Sequence, residues 1–177
     1  DEFRSVVQKA NTMASAEKIV AFGVVPTQPN TGYGYVKPEE GKVPKFIEKP
    51  DKESAQKYME DGYFWNSGMF CSQAGVLIDE MKVHCPKILQ PVEKAVSNSI
   101  KDNFLGSPRY KIAEEDFLQV PAQSIDYALM EHTKKLAVIA AGINWSDVGS
   151  FESFGEELPG DEFGNKGTGD RVFWDTI

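Results

Sequence analysis

Apolar residues at Phe3, Val6, Val7, Ala10, Met13 and Ala14 recur at helical spacing, which predicts an amphipathic helix at the start of the chain. The pattern then changes to a continuous apolar, β-branched run over residues 18–25, which suits a buried strand. Residues 26–32 hold only turn chemistry, and residues 33–36 and 42–48 read as short strands about a Pro/Glu/Gly turn. Asp51 is placed to cap a short helix that ends near Gly62. Residues 63–72 are aromatic-rich and read as a strand despite Gly68. Residues 74–81 look helical, and Pro86 opens another helix running to about Val96. Residues 98–108 are polar and turn-rich, which predicts a loop. Ser124 is placed to cap a helix with Ile125, Ala128 and Leu129 on one face. Residues 136–141 form a buried-type strand, Gly149 begins a last helix, and residues 158–170 read as a Gly-rich linker.

Strands alternate with helices, so the expected class is α/β with a mixed sheet. At 177 residues the chain has room for one domain. The net charge of −8 argues against a nucleic-acid groove, but a small nucleotide site needs only a few placed cations. Cys71 and Cys85 have neither the spacing nor the histidine company of a zinc site, and Cys71 reads as a reduced core residue. No stretch is apolar and long enough for a membrane span, so no membrane partner is expected and a cytoplasmic location is. His84 and His132 stand isolated on expected helices and read as structural.

Four segments hold candidate chemistry. In residues 26–35 the glycines, Gly34 among them, allow backbone to pass close to a ligand, and tyrosines offer flat walls and hydroxyls. A hairpin loop with packed aromatics explains the same residues. In Phe46-Ile47-Glu48-Lys49-Pro50 a carboxylate suits vicinal hydroxyls and an ammonium suits a phosphate. An exposed strand end with an incidental ion pair is the plainer explanation. Asn66, a polar amide in the apolar run Trp65-Asn66-Ser67-Gly68-Met69-Phe70, needs a partner: a sugar hydroxyl or the backbone. In Trp145-Ser146-Asp147-Val148-Gly149-Ser150, Asp147 lies between a strand and a helix, where it can hold a hard cation or cap the helix.

Taken in order, these segments, with Ser124-Ile125-Asp126 before the last of them, resemble the mannose-1-phosphate guanylyltransferases among the sugar-phosphate nucleotidyltransferases. The resemblance runs from about Ile19 to Gly169. It implies a Rossmann-like nucleotidyltransferase fold with a mixed sheet. It implies that Gly34 lies against a sugar ring, Glu48 holds sugar hydroxyls, Lys49 grips the sugar-1-phosphate and Asn66 contacts the sugar. Asp147 matches one of two aspartates that hold a catalytic Mg2+, which makes Lys49 and Asp147 the catalytic pair. The implied reaction transfers GMP from GTP to mannose-1-phosphate, giving GDP-mannose for polysaccharide biosynthesis, and a homo-oligomer is compatible with it.

The resemblance also implies that the N-terminal nucleotide-binding half, with its Gly-rich loop of Arg and Lys and the second metal aspartate, is absent from this chain. The expected division is residues 1–157 as the C-terminal part of the catalytic domain and 158–177 as a linker into a following domain. In some relatives that later part carries a phosphomannose isomerase. The chain alone is therefore expected to lack transferase activity, and an exposed sheet edge is expected to make it poorly soluble. Two rivals stand beside this expectation: a nucleotidyltransferase for another sugar or base, and a non-catalytic paralogue that binds a sugar nucleotide to regulate a partner.

Overall fold

The computed structural model describes residues 2–38, 43–161 and 164–169. Two compact units divide at residues 143 and 144. The first contains α1 (Glu2–Ser15), β1 (Ile19–Val24), β2 (Tyr35–Lys37), β3 (Lys45–Ile47), α2 (Lys52–Glu60) and β4 (Phe64–Cys71). It continues with α3 (Ala74–His84), α4 (Pro86–Ser97), β5 (Ile100–Phe104), β6 (Ser107–Lys111) and the short α5 (Glu114–Phe117). A π-helical turn, Asp126–Met130, and β7 (Leu136–Ala141) complete it.

The central strand follows from composition: all six residues of β1 are buried, as a continuous apolar run requires. β7 pairs parallel to β1 on one side, β4 pairs antiparallel on the other, and β2 and β3 extend the sheet in the order β3-β2-β4-β1-β7. The sheet is therefore mixed, as expected. Alternate residues of β1 serve two cores. Ile19 and Ala21 pack with Val76 of α3 and with Ala128, Leu129 and Met130 of the π-helical turn. Val20 and Phe22 pack with Val6, Ala10 and Ala14 of α1, whose spacing of four lines one helix face. Phe3 and Val7, counted in the expected apolar face, are exposed.

Asp51 caps α2 as anticipated, its Oδ1 accepting from the Ser54 amide at 2.8 Å. Three expectations are corrected. Residues 98–108 are not a loop, because β5 and β6 form an antiparallel hairpin. Its turn uses Leu105 at φ 49° and Gly106 at φ 81°, and every strand position is exposed, so no alternation of burial announces the strands. Ser124 does not cap an α-helix: the segment is a π-helical turn without a side-chain cap, and Ser124 contributes its carbonyl to the Ala128 amide at 3.0 Å. The last helix begins at Phe151, not Gly149. No helix among the described residues is long and apolar enough to cross a membrane.

The second unit holds α6 (Phe151–Glu156) and a bridge between Gly160 and Lys166, inside the stretch expected to be linker. Residues 162–163 and 170–177 of that stretch lie outside the described residues, as do residues 39–42 of the expected Pro/Glu/Gly turn.

Candidate functional site

Four of the five expected site residues meet in the first unit, where the ends of β2, β3 and β4 meet the π-helical turn. β2 and β3 pair in register, which places Gly34, just before β2, beside Glu48, just after β3. A Cβ built on Gly34 would lie 2.5 Å from Glu48 Oε2 and 3.3 Å from Asn66 Cβ, so only glycine leaves that space open. The Gly34 carbonyl accepts from the Asn66 amide at 2.7 Å, which ties the loop to β4.

The Asn66 side chain is aimed by a bulge. Opposite Phe22 of β1, β4 carries Ser67, Gly68 and Met69, with Gly68 at φ 73°. Ser67 Oγ donates to the Phe22 carbonyl at 2.9 Å. The Gly68 amide donates to Asn66 Oδ1 at 3.2 Å, and Asn66 Nδ2 donates to Asp126 Oδ1 at 3.2 Å. Gly68 is thus the reason the strand turns its amide toward the π-helical turn.

Glu48 is the electrostatic centre. Its side chain is 10% exposed, and Oε2 is buried with no hydrogen-bond partner among the described residues. Burial raises its pKa above the ordinary carboxylate value; the Asp126 charge and, more weakly, Glu131 add to this, while Lys49 opposes it. Glu131 Oε1 also accepts from the Glu48 amide at 3.3 Å. Lys49 Nζ is 3.9 Å from Glu48 Oε1, exposed, and on a backbone at φ 44°. A lysine in the left-handed region is strained by about 1 kcal/mol or more, a cost often found at binding sites. A buried carboxylate oxygen left open, beside a bare backbone and an amide, can accept from neutral hydroxyls. An exposed ammonium next to it can meet a phosphate.

The tyrosines are packed, as the hairpin-loop explanation of their segment has it. Tyr35 is fully buried, and its hydroxyl is used internally: it accepts from the Asn30 amide at 3.0 Å and from Trp65 Nε1 at 3.1 Å. It thereby fixes the loop that carries Gly34. Tyr33 stacks edge-on against Trp65 at 5.1 Å.

Asp147 lies in the second unit, on an exposed loop before α6. The capping explanation of this residue does not hold, because Ser150 is the cap and forms a reciprocal capping box with Ser153. Val148 follows at φ 45°, an outlier for a β-branched residue. A Cβ on Gly149 would fall 2.8 Å from Asp147 Oδ2, so the carboxylate lies over the glycine. Among the described residues no group of three or more His, Cys, Asp or Glu side chains could hold a metal. An exposed carboxylate nevertheless fits a hard cation that takes one or two carboxylates and fills its shell with water and phosphate.

A family model of nucleotidyl transferases matches residues 1–162. The chain belongs to the nucleotidyl transferase family. It is 42% identical to the mannose-1-phosphate guanylyltransferase of Escherichia coli over 97% of this chain and 37% of that protein. It thus spans well under half the length of that curated relative. A crystal structure described as mannose-6-phosphate isomerase from Helicobacter pylori superposes with a TM-score of 0.77 at 34% identity, covering 82% of this chain and 58% of that one. One described as mannose-1-phosphate geranyltransferase from Thermus thermophilus gives 0.69 at 28% identity, over 88% and 44%.

Within this nucleotidyl transferase chain, two residues of the site were given no role by sequence, although Asp126 stands in the Ser124-Ile125-Asp126 element of the resemblance. Asp126 carried a faint signal, an acid at the head of a segment expected to be a helix. Glu131 carried none: its place depends on the π-helical turn, which no periodicity announces.

Proposed function

We propose that this chain works within a mannose-1-phosphate guanylyltransferase, transferring GMP from GTP to mannose-1-phosphate and releasing pyrophosphate. The observation that carries the proposal is the open Glu48 oxygen, buried beside Gly34 and Asn66 and followed by the exposed ammonium of Lys49. The relatedness to mannose-1-phosphate guanylyltransferases supplies the sugar and the base. A second part of the proposal is that these residues complete an active site whose nucleotide-binding half is contributed by further sequence; the chain's 37% share of its E. coli relative leaves room for it. Residues 158–177 we read as a linker into a following domain.

In this reading Glu48 accepts from vicinal sugar hydroxyls and Asn66, held by Asp126 and Gly68, sets the ring's position. Gly34 lets the ring approach the backbone. Lys49 holds the phosphate whose oxygen attacks the α-phosphorus of GTP. Asp147 would hold Mg2+, which when bound offsets the charge of the reacting phosphates. No protein nucleophile is required; the residues position and neutralise.

The test is product formation by the intact protein from GTP with mannose-1-phosphate, against glucose-1-phosphate and against thymidine triphosphate. GDP-mannose is the expected main product. Preferential turnover of another pair would transfer the chain to the rival nucleotidyltransferase reading, and no turnover with any pair to the regulatory one.

A further inference from the structure

The π-helical turn that serves the site also borders a second pocket. Its volume is about 340 Å3, and its polar lining consists of His84, Cys85, Lys87, Gln123, Tyr127 and His132. Each of these side chains can donate a hydrogen bond, and none is a carboxylate. In a chain of net charge −8, a pocket with one ammonium, two imidazoles and no acid among its lining residues runs against the overall balance. The two imidazoles, far apart in sequence, are stacked with centroids 6.4 Å apart and planes at 22°. Glu80 is the carboxylate beside them. It lies outside the lining but is tied to one of them: Oε2 is 3.4 Å from His84 Nε2 and accepts from the Thr133 hydroxyl at 2.6 Å, and Oε1 is 3.8 Å from Lys135 Nζ. A purely structural histidine pair would explain the stacking, but not the added Lys87, Gln123 and Tyr127 on an apolar floor that includes Ile88.

We propose that this pocket binds a small phosphorylated anion, and that its occupation is transmitted to the sugar-phosphate site through the π-helical turn. The second half rests on the function proposed above. Along residues 126–132 the two sites alternate in one short segment. Asp126 holds Asn66, Tyr127 and Ala128 line the pocket, Glu131 takes the Glu48 amide, and His132 lines the pocket again. A π turn has a neighbouring α register available to it, so an anion drawing Tyr127 and His132 together can move both acids that set Asn66 and Glu48.

The experiment uses the intact protein, with inorganic phosphate and adenosine monophosphate as probes, each titrated calorimetrically. Saturable binding of at least one probe is expected, weakened about tenfold or more in Lys87→Glu, as loss of a charge-assisted bond to an anion requires. A similar loss is expected in His132→Ala, and none in Glu48→Gln. Thermal melts check that both exposed-site variants fold. Neither probe binding, or binding that Lys87→Glu spares, would overturn the pocket. In the wild type a saturating probe is expected to change the mannose-1-phosphate KM by about threefold or more, and Lys87→Glu is expected to abolish the change. An unchanged KM with Lys87-dependent binding would overturn the transmission. Because binding is read without turnover, a protein that bound the probe through Lys87 yet made no GDP-mannose would overturn the proposed activity and leave the pocket standing.

Discussion

Glu48 and Asp147 are held by the same local device in different surroundings. Each is an acid followed directly by a non-glycine residue in the left-handed region, Lys49 at φ 44° and Val148 at φ 45°. Glu48 is backed by a five-stranded sheet, crowded by Asp126 and Glu131, and largely shielded from water. Asp147 is exposed on a loop beside a short helix. A buried, charge-crowded acid is suited to neutral hydroxyls, which satisfy it without adding charge. An exposed one is suited to a hydrated hard cation. Local backbone geometry is therefore common to both, and burial is what separates the role proposed for Glu48 from the role proposed for Asp147.

The largest effect should come from the exposed acid. Asp147→Asn keeps size and capping ability but removes the charge, and Ser150 holds the cap in any case. Turnover of the intact protein should fall roughly a hundredfold or more, with an unchanged melt and a shifted magnesium midpoint. Wild-type turnover with the same midpoint would leave Asp147 without a metal. Next, Lys49→Ala should cost about 2–3 kcal/mol in kcat/KM for mannose-1-phosphate, with the GTP dependence unaltered. An equal loss on both substrates would place Lys49 outside the sugar-phosphate side. Asp126→Ala, which leaves the Asn66 amide without its charged acceptor, should cost about 1.5 kcal/mol on the same parameter. A changed melt with unchanged kinetics would make the contact structural. Smallest in function is Ser150→Ala: about 1 kcal/mol of stability with turnover intact, the inverse of Asp147→Asn. If the two variants behaved alike, the separation of cap from ligand in that loop would be lost.

Much of this was legible in the chain. The central strand, read over residues 18–25, announced itself by its apolar run, and α2 by the Asp51 cap and an end near Gly62. Gly34, Glu48, Lys49 and Asn66 each had a plainer structural explanation and were assigned to a site by the family resemblance, and the fold brings all four together. The hairpin of β5 and β6 did not announce itself, because neither face is buried and its strands carry neither an apolar run nor an alternation. Nor did the π-helical turn, whose register differs from an α-helix by a residue and leaves no mark on five positions. That turn supplies Asp126 and Glu131, so the electrostatics of Glu48 were hidden even though Glu48 was not. The bulge at Gly68 showed only as a glycine in a strand; its consequence, the aim of Asn66, needed the pairing with β1.

Glu48→Gln tests the central claim most directly, because binding and stability should move in opposite directions. Burial and the neighbouring acids raise the Glu48 pKa above its ordinary 4.5, so the folded state favours the protonated form. The stability this group contributes is full below 4.5 and is lost as pH rises through the raised, folded-state value. At pH 7 the ionised side chain therefore weakens the fold, and an uncharged glutamine removes that burden. The measurement is a thermal melt from pH 4 to 8 beside steady-state kinetics, on the intact protein. The expected result is a higher Tm at neutral pH, a gap that closes toward pH 4, and a raised KM for mannose-1-phosphate with the GTP KM unchanged. A lower Tm at neutral pH with an unaltered mannose-1-phosphate KM would contradict it, and would make Glu48 a structural carboxylate rather than the group that holds the sugar.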